Sequence, residues 1–146
     1  MKRLTTIILL LVLANTLFAQ AQTDTLIDCA KAANKKGKMV YLKSFETKLD
    51  NAKLNEKWPL MLNSGVKYRF FLCENAQDKP EVLELLLFDE SHPENNPYAS
   101  TKKKGSFYFE CNKTGTYSVL IRYKNDVQKK EAVKATAVLF FVKKHK

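Results

Sequence analysis

The side chains that most often act as nucleophiles and bases are sparse in this sequence of 146 residues. It contains three cysteines, Cys29, Cys73 and Cys111, and two histidines, His92 and His145. A Cys–His enzyme needs its imidazole within hydrogen-bonding reach of the thiol. His92 lies in a loop rich in Pro and Asn, and His145 is next to the last residue. The sequence therefore does not predict a nucleophilic site.

Paired carboxylates of the kind that glycosidases use are not predicted either. Glu81 and Glu84 lie three residues apart on one predicted strand, where successive side chains alternate between the two faces. They therefore point to opposite faces and do not form a glycosidase pair by themselves. Because no acid, base and nucleophile set is assembled, we predict that the protein is not an enzyme. The alternative is an enzyme of unrecognised type, or an accessory domain of an envelope hydrolase system.

One loop collects potential ligand side chains that would suit Ca²⁺. These residues are Asp89, Glu90, His92, Glu94, Asn95 and Asn96. Their spacing does not match a calcium-binding loop, and Pro93 and Pro97 indicate an ordinary surface excursion. The question of a cation in the loop Asp89–Asn96 stays open, and the sequence predicts neither a metal site nor a cofactor.

Three aromatic residues, Trp58, Tyr98 and Tyr108, are candidates for a ligand surface. Aromatic rings stack on sugars and peptides and offer a large apolar area with a polar edge. The other interpretation of Trp58, which precedes Pro59, is a core residue that closes one end of the fold. The partner expected for such a surface is an unidentified protein or glycan of the cell envelope.

The first 21 residues have the pattern of a secretory signal peptide. Lys2 and Arg3 precede the apolar run 4–13, and residues 18–21 read Phe-Ala-Gln-Ala, which predicts cleavage before Gln22. The apolar run is too short to span a bilayer comfortably, and no second apolar segment is long enough. We predict a periplasmic or secreted protein, and the pattern does not distinguish the two.

The mature chain would be strongly basic. Removing Lys2 and Arg3 from the 25 basic residues leaves 23 against 15 acidic residues, a net charge of +8. Outside the cytoplasm the available polyanions are lipid headgroups, lipopolysaccharide and acidic glycans rather than nucleic acid. The lysines are dispersed along the chain rather than gathered in one long basic run. This pattern predicts a solvated surface and no nucleic-acid partner.

Three cysteines in an oxidising compartment predict one disulfide and one free thiol. Residues 22–37 have a short helical pattern, which is too short to be stable without docking against a larger body. A bridge from Cys29 to Cys73 would fix this segment, and closing a loop of about 45 residues is worth roughly 4 kcal/mol. We therefore favour Cys29–Cys73, while Cys73–Cys111, Cys29–Cys111 and no bridge stay open. Cys111 would then be a buried, inert thiol.

The remaining chain, residues 38–146, has the period-two alternation of β-strands with turn residues between the runs. We predict a strand or two at residues 39–49, and strands at residues 66–73, 82–88, 106–111, 116–123 and 132–142. Together with one short N-terminal helix, they predict an all-β domain. Its architecture would be an antiparallel β-sandwich of six to eight strands, jelly-roll or immunoglobulin-like.

The stretch from Phe107 to Tyr123 is predicted as a hairpin. One face of its first strand carries Phe107, Phe109 and Cys111, and one face of its second strand carries Tyr117, Val119, Ile121 and Tyr123. We expect Gly115 to supply a positive φ in the turn between them. These faces would belong to the core.

Three segments resemble known β-sandwich domains. Residues 63–70, Asn-Ser-Gly-Val-Lys-Tyr-Arg-Phe, are similar to the x-x-G-x-x-Y-x-F segment of pre-peptidase C-terminal and GOLD-like domains. Residues 113–119 are similar to their x-x-G-x-Y-x-V strand, and 86–89 fall between the two. The same segments resemble small uncharacterised secreted β-sandwich proteins of Gram-negative bacteria, whose cysteines lie in RFxLC and FxFxC. This resemblance implies a domain that binds or accompanies another molecule rather than catalysing a reaction.

Overall fold

The computed structural model describes residues 28–31, 33–34, 38–75, 81–101, 105–127 and 131–142. The predicted signal peptide, residues 1–21, and His145 lie outside these ranges. Within them the chain contains one short helical segment followed by eight strands. The strands are β1 (Met39–Leu49), β2 (Asn55–Leu62), β3 (Lys67–Glu74), β4 (Leu83–Phe88), β5 (Ala99–Ser100), β6 (Ser106–Glu110), β7 (Gly115–Tyr123) and β8 (Val133–Val142).

The strands form two antiparallel sheets of four strands each. The first sheet has the order β1-β8-β3-β6, and the second has the order β2-β7-β4-β5. The predicted all-β sandwich is thus confirmed. The alternating run 39–49 forms the single strand β1, and each of the other five predicted strands is present, with its ends within one residue of those expected.

Two strands were not predicted, and β2 shows why. It contains Pro59, which lacks the backbone N–H that a central strand needs for its ladder. However, β2 lies at the edge of the second sheet and pairs only with β7, so a proline is tolerated there. The other strand, β5, is only two residues long and lies inside a segment rich in turn residues.

The predicted hairpin between Phe107 and Tyr123 is wrong, although its two strands exist. Strand β6 pairs with β3 in the first sheet, whereas β7 lies between β2 and β4 in the second. Residues 111–114 therefore cross from one sheet to the other. The positive φ expected at Gly115 is also wrong, because Gly115 begins β7 in an extended conformation. Positive φ occurs instead at Gly65, with a value of 76°, in the turn between β2 and β3.

The core fills the space between the sheets, and strand alternation determines its members. On β7 the four residues expected to face inward, Tyr117, Val119, Ile121 and Tyr123, are all buried. Residues Phe45 and Leu49 of β1 and Phe70 of β3 face them from the first sheet. Strand β4 is buried along its whole length, which fits its nearly continuous apolar sequence.

A disulfide between Cys29 and Cys73 attaches the helical segment to the outer face of the first sheet, which confirms the favoured pairing. Residues 28–31 and 33 are helical. Cys29 and Ala33 pack on Val138 and Phe140 of β8, so a small second core forms on this face. The remaining cysteine, Cys111, is a buried free thiol, as expected.

Candidate functional site: a pair of hydrogen-bonded loops

The structure does not bring the three predicted platform aromatics together. Trp58 packs inward, with its ring 5.3 Å from that of Phe45. Tyr98 packs against Phe109 of the core at a ring separation of 5.3 Å. Tyr108 lies on the outer face of the first sheet and is 52% exposed. Trp58 thus lies on the inner face of the second sheet and Tyr108 on the outer face of the first, so the two rings do not share one surface.

The carboxylate of Asp89 accepts hydrogen bonds from residues of its own loop. Its Oδ1 accepts the N–H groups of Ser91 at 2.8 Å and His92 at 3.0 Å, and its Oδ2 accepts the hydroxyl of Tyr98 at 3.1 Å. Partial burial opposes ionisation, but these hydrogen bonds outweigh it and hold the pKa of Asp89 below its usual value. In the described part of the chain, no group of three or more His, Cys, Asp or Glu side chains is placed to hold a metal ion.

The acidic side chains of β4 and its neighbours also serve the fold. Glu84, the one acidic residue in the apolar run of β4, is 3% exposed and accepts a hydrogen bond from Arg122 Nε at 2.9 Å. Nη1 of Arg122 bonds Glu94 at 2.7 Å, so one guanidinium bridges the two carboxylates. Glu81 lies 3.9 Å from Lys124. Each of these carboxylates therefore lies in an ion pair with a basic side chain.

Two connections at one end of the sandwich are bonded to each other. We call them the paired loops: residues 63–66, between β2 and β3, and residues 111–114, between β6 and β7. The N–H of Gly65 donates to the carbonyl of Cys111 at 2.8 Å, and the N–H of Cys111 donates to the carbonyl of Val66 at 3.0 Å. This pair of backbone bonds continues the ladder between β3 and β6 into the connections.

Side chains add two further bonds between the paired loops. The hydroxyl of Thr114 accepts the N–H of Ser64 at 2.8 Å, and the hydroxyl of Ser64 donates to the carbonyl of Asn112 at 2.9 Å. The two connections, 48 to 50 residues apart in sequence, therefore form one hydrogen-bonded unit.

Each of the paired loops is also bonded to a core tyrosine. The hydroxyl of Tyr68 accepts the N–H of Asn63 at 3.0 Å, and the hydroxyl of Tyr117 donates to the carbonyl of Lys113 at 2.8 Å. The same carbonyl accepts the thiol of Cys111 at 3.1 Å. Burial, together with the hydrogen bond shared with Cys111, raises the pKa of Tyr117 well above its usual value, so its phenol remains a donor.

The outer surface of the paired loops is accessible. The exposed residues are Asn63, Ser64, Gly65, Asn112, Lys113 and Thr114. This surface offers amides, hydroxyls and one cation, and it includes no general base or nucleophile within the described residues. The surface is thus exposed and polar, and its two loops are bonded to each other.

A cavity of about 460 Å³ lies beside the second of the paired loops. Lys57 and Lys113 line it together with Asp89, Glu94 and the ring of Phe88. Side chains of both charges thus line this cavity, which extends the polar surface of the paired loops onto the second sheet.

Two patterns in the sequence fall on this unit, and both indicated only the core. A glycine precedes each anchoring tyrosine, as Gly65-x-x-Tyr68 and Gly115-x-Tyr117. Period-two alternation correctly placed both tyrosines inside the sandwich. It did not indicate that their hydroxyl groups reach the loops, nor that Ser64 and Thr114 would meet.

The fold defines the class as a small antiparallel β-sandwich with a disulfide-attached N-terminal segment. No family model matches the chain, so membership of the pre-peptidase C-terminal or GOLD-like families is not shown. No curated protein matches it either. Among the described residues, no helix is both long enough and apolar enough to cross a membrane.

One solved structure with a similar fold is PliG of Aeromonas hydrophila, a periplasmic inhibitor of g-type lysozyme. The alignment covers 68% of this chain and 84% of that protein, with a TM-score of 0.55 and 8% sequence identity. At that identity the similarity establishes the fold, and this fold occurs in a periplasmic protein that binds an enzyme.

Proposed function

We propose that the mature chain is a non-catalytic periplasmic or secreted protein that binds another protein through the paired loops. The observation that carries this proposal is the network of four bonds between the two loops and their attachment to Tyr68 and Tyr117. Loops that are already ordered lose little conformational entropy on binding, and backbone movement is small in pre-organised inhibitor complexes. The signal-peptide pattern of residues 1–21 supports the location.

We further propose that the partner is a lysozyme-type peptidoglycan hydrolase. A protein of similar fold inhibits such an enzyme, which supports this class of partner. Most glycoside hydrolases have two carboxyl groups in the substrate cleft. An exposed cation on an ordered loop, as Lys113 is, complements that charge. The basic net charge of the mature chain would add long-range attraction to the encounter.

The test is inhibition of peptidoglycan lysis by the purified mature protein. We expect it to slow the loss of turbidity caused by a g-type lysozyme, with a c-type lysozyme run in parallel to define specificity. Lys113→Glu is expected to weaken the inhibition by about ten-fold or more, because it places a negative charge against the cleft. Lys48→Glu is the matched control. Lys48 is an exposed lysine that lies opposite Lys134 in the register of β1 and β8, at the end of the first sheet away from the paired loops.

The outcomes separate the two parts of the proposal. Failure to bind or inhibit either lysozyme would overturn the partner class. If Lys113→Glu and Lys48→Glu weaken inhibition equally, the proposed partner class stands. The assignment of the binding surface to the paired loops is then overturned.

A further inference from the structure

An apolar cavity of about 460 Å³ opens between the sheets next to the first of the paired loops. Its walls come from the inner faces of both sheets and include Leu60, Leu62, Leu139 and Phe141. Among the described residues that line it, Lys43 is the only charged one. The volume is within the range of small-molecule sites, roughly 300 to 1,000 Å³.

A β-bulge in β1 lies at the edge of this cavity. The pairing of β1 with β8 passes from Tyr41 opposite Phe140 to Lys43 opposite Leu139, so Leu42 has no partner on β8. A bulge redirects the side chains around it. Leu42 lines the cavity and is nevertheless 44% exposed. On the opposite edge strand, Met61 also lines it and is 62% exposed.

The Tyr68 hydroxyl and the Lys43 ammonium, two polar groups of this cavity, differ in whether they are free to bind a ligand. The hydroxyl of Tyr68 is already bonded to the N–H of Asn63 at 3.0 Å. Lys43 is exposed, its Nζ lies 5.1 Å from the centroid of the Phe45 ring, and it forms no ion pair within the described residues. A ligand would therefore meet an apolar interior, an apolar rim and one cation at the wall.

We propose that this cavity binds the alkyl chain of a fatty-acid carboxylate, with the carboxylate paired to Lys43. Burial of methylene groups against apolar walls is favourable. Lys43, which has no acidic partner among the described residues, favours an anionic head group. Leu42 and Met61 cover the part of the chain that leaves the cavity. This site goes beyond the proposed function, because its ligand is a lipid and its charged group lies on β1 rather than on the paired loops.

Isothermal titration of the mature protein with sodium laurate, below its micelle concentration, tests the proposal. We expect saturable one-to-one binding. Sodium decanoate should bind about ten-fold more weakly, because two fewer methylenes are buried. Dodecyltrimethylammonium, which has the same chain length and a cationic head, should bind at least about ten-fold more weakly than laurate.

Two variants with matched controls locate the site. Leu42→Asp places a carboxylate at the mouth and should abolish laurate binding, whereas Leu54→Asp should not, since Leu54 is 43% exposed and does not line the cavity. Lys43→Glu should reverse the preference for the anionic head, and Lys48→Glu should leave it unchanged. All four positions are exposed strand or loop residues, so each variant is expected to fold.

Three results would overturn the proposal: no laurate binding, equal loss in both Asp variants, or equal affinity for the anionic and cationic heads. If laurate does not bind but Leu42→Asp abolishes lysozyme inhibition, the cavity receives a side chain of the protein partner instead. Inhibition of lysozyme without laurate binding would leave the proposed function intact and remove only the lipid site.

Discussion

Removal of the buried hydroxyl of Tyr117 should show whether the attachment of the paired loops to the core contributes to binding as well as to stability. Tyr117→Phe deletes the donor that bonds the carbonyl of Lys113 at 2.8 Å and leaves the ring in the core. A buried hydrogen bond contributes about 1 kcal/mol, and the thiol of Cys111 remains as a weak donor to the same carbonyl. We therefore expect a loss of about 1 kcal/mol in the free energy of unfolding. Tyr117→Ala, which also empties the ring site, should cost on the order of 3 kcal/mol.

Strand β7 supplies the matched control. Tyr123 is 5% exposed and Tyr117 is 4% exposed, and both donate to a backbone carbonyl; Tyr123 bonds that of Glu131 at 2.6 Å. That contact lies at the other end of the strand from the paired loops. Tyr123→Phe should therefore lose a similar free energy of unfolding.

The two Phe variants should differ in binding. Urea denaturation followed by tryptophan fluorescence measures stability, and titration against the lysozyme measures the dissociation constant. We expect only Tyr117→Phe to weaken binding, by about five- to ten-fold, because about 1 kcal/mol of loop ordering must then be supplied on binding. If Tyr117→Phe loses stability but binds as wild type does, the attachment of the loop to the core has no role in recognition.

Three further predictions concern the fold. Gly65→Ala should destabilise by about 1 kcal/mol, because φ is 76° there, whereas Gly115→Ala should be neutral or slightly stabilising; thermal unfolding compares them. Replacing Cys29 and Cys73 by serine should cost up to about 4 kcal/mol in urea unfolding, since the bridge spans 44 residues, and equal stability with and without reductant would contradict this. Burial raises the pKa of Glu74, so folding favours its protonated form. Its stabilising contribution is present at low pH and lost as pH rises through the folded-state pKa. Glu74→Gln should therefore remove the fall in stability that sets in as the pH rises above 4.5, the ordinary pKa of a glutamate.

The strands could be predicted because burial imposes a period of two on their sequences. Alternation along β7 identified its inner face correctly, from Tyr117 to Tyr123. The same alternation is satisfied by a hairpin within one sheet and by an arch between two sheets, since both turn an apolar face toward the core. The partner of β6 was therefore not determined by its own sequence, and the connection through residues 111–114 was assigned to the wrong arrangement.

The paired loops could not be predicted, because their bonds join residues about 50 positions apart through short polar side chains. Ser64 and Thr114 are common turn residues, and no local pattern distinguishes a hydroxyl that bonds a distant backbone from one that bonds water. The cysteine pairing could be favoured for a physical reason, namely that a short helix needs an attachment. The remaining thiol, Cys111, was correctly expected to be buried.

The strand orders of the two sheets determine which strands can pair before the whole chain is available. Among strands consecutive in the sequence, only β4 and β5 are neighbours in a sheet; every other connection passes between the sheets. In the first sheet the last strand, β8, lies between β1 and β3 and is the partner of both. Long-range pairing of this kind is slow and must await closure of large loops. A chain that emerges from a ribosome or a translocation channel therefore cannot complete this sandwich until residues 133–142 have emerged, and truncation before β8 would leave β1 with no strand to pair with.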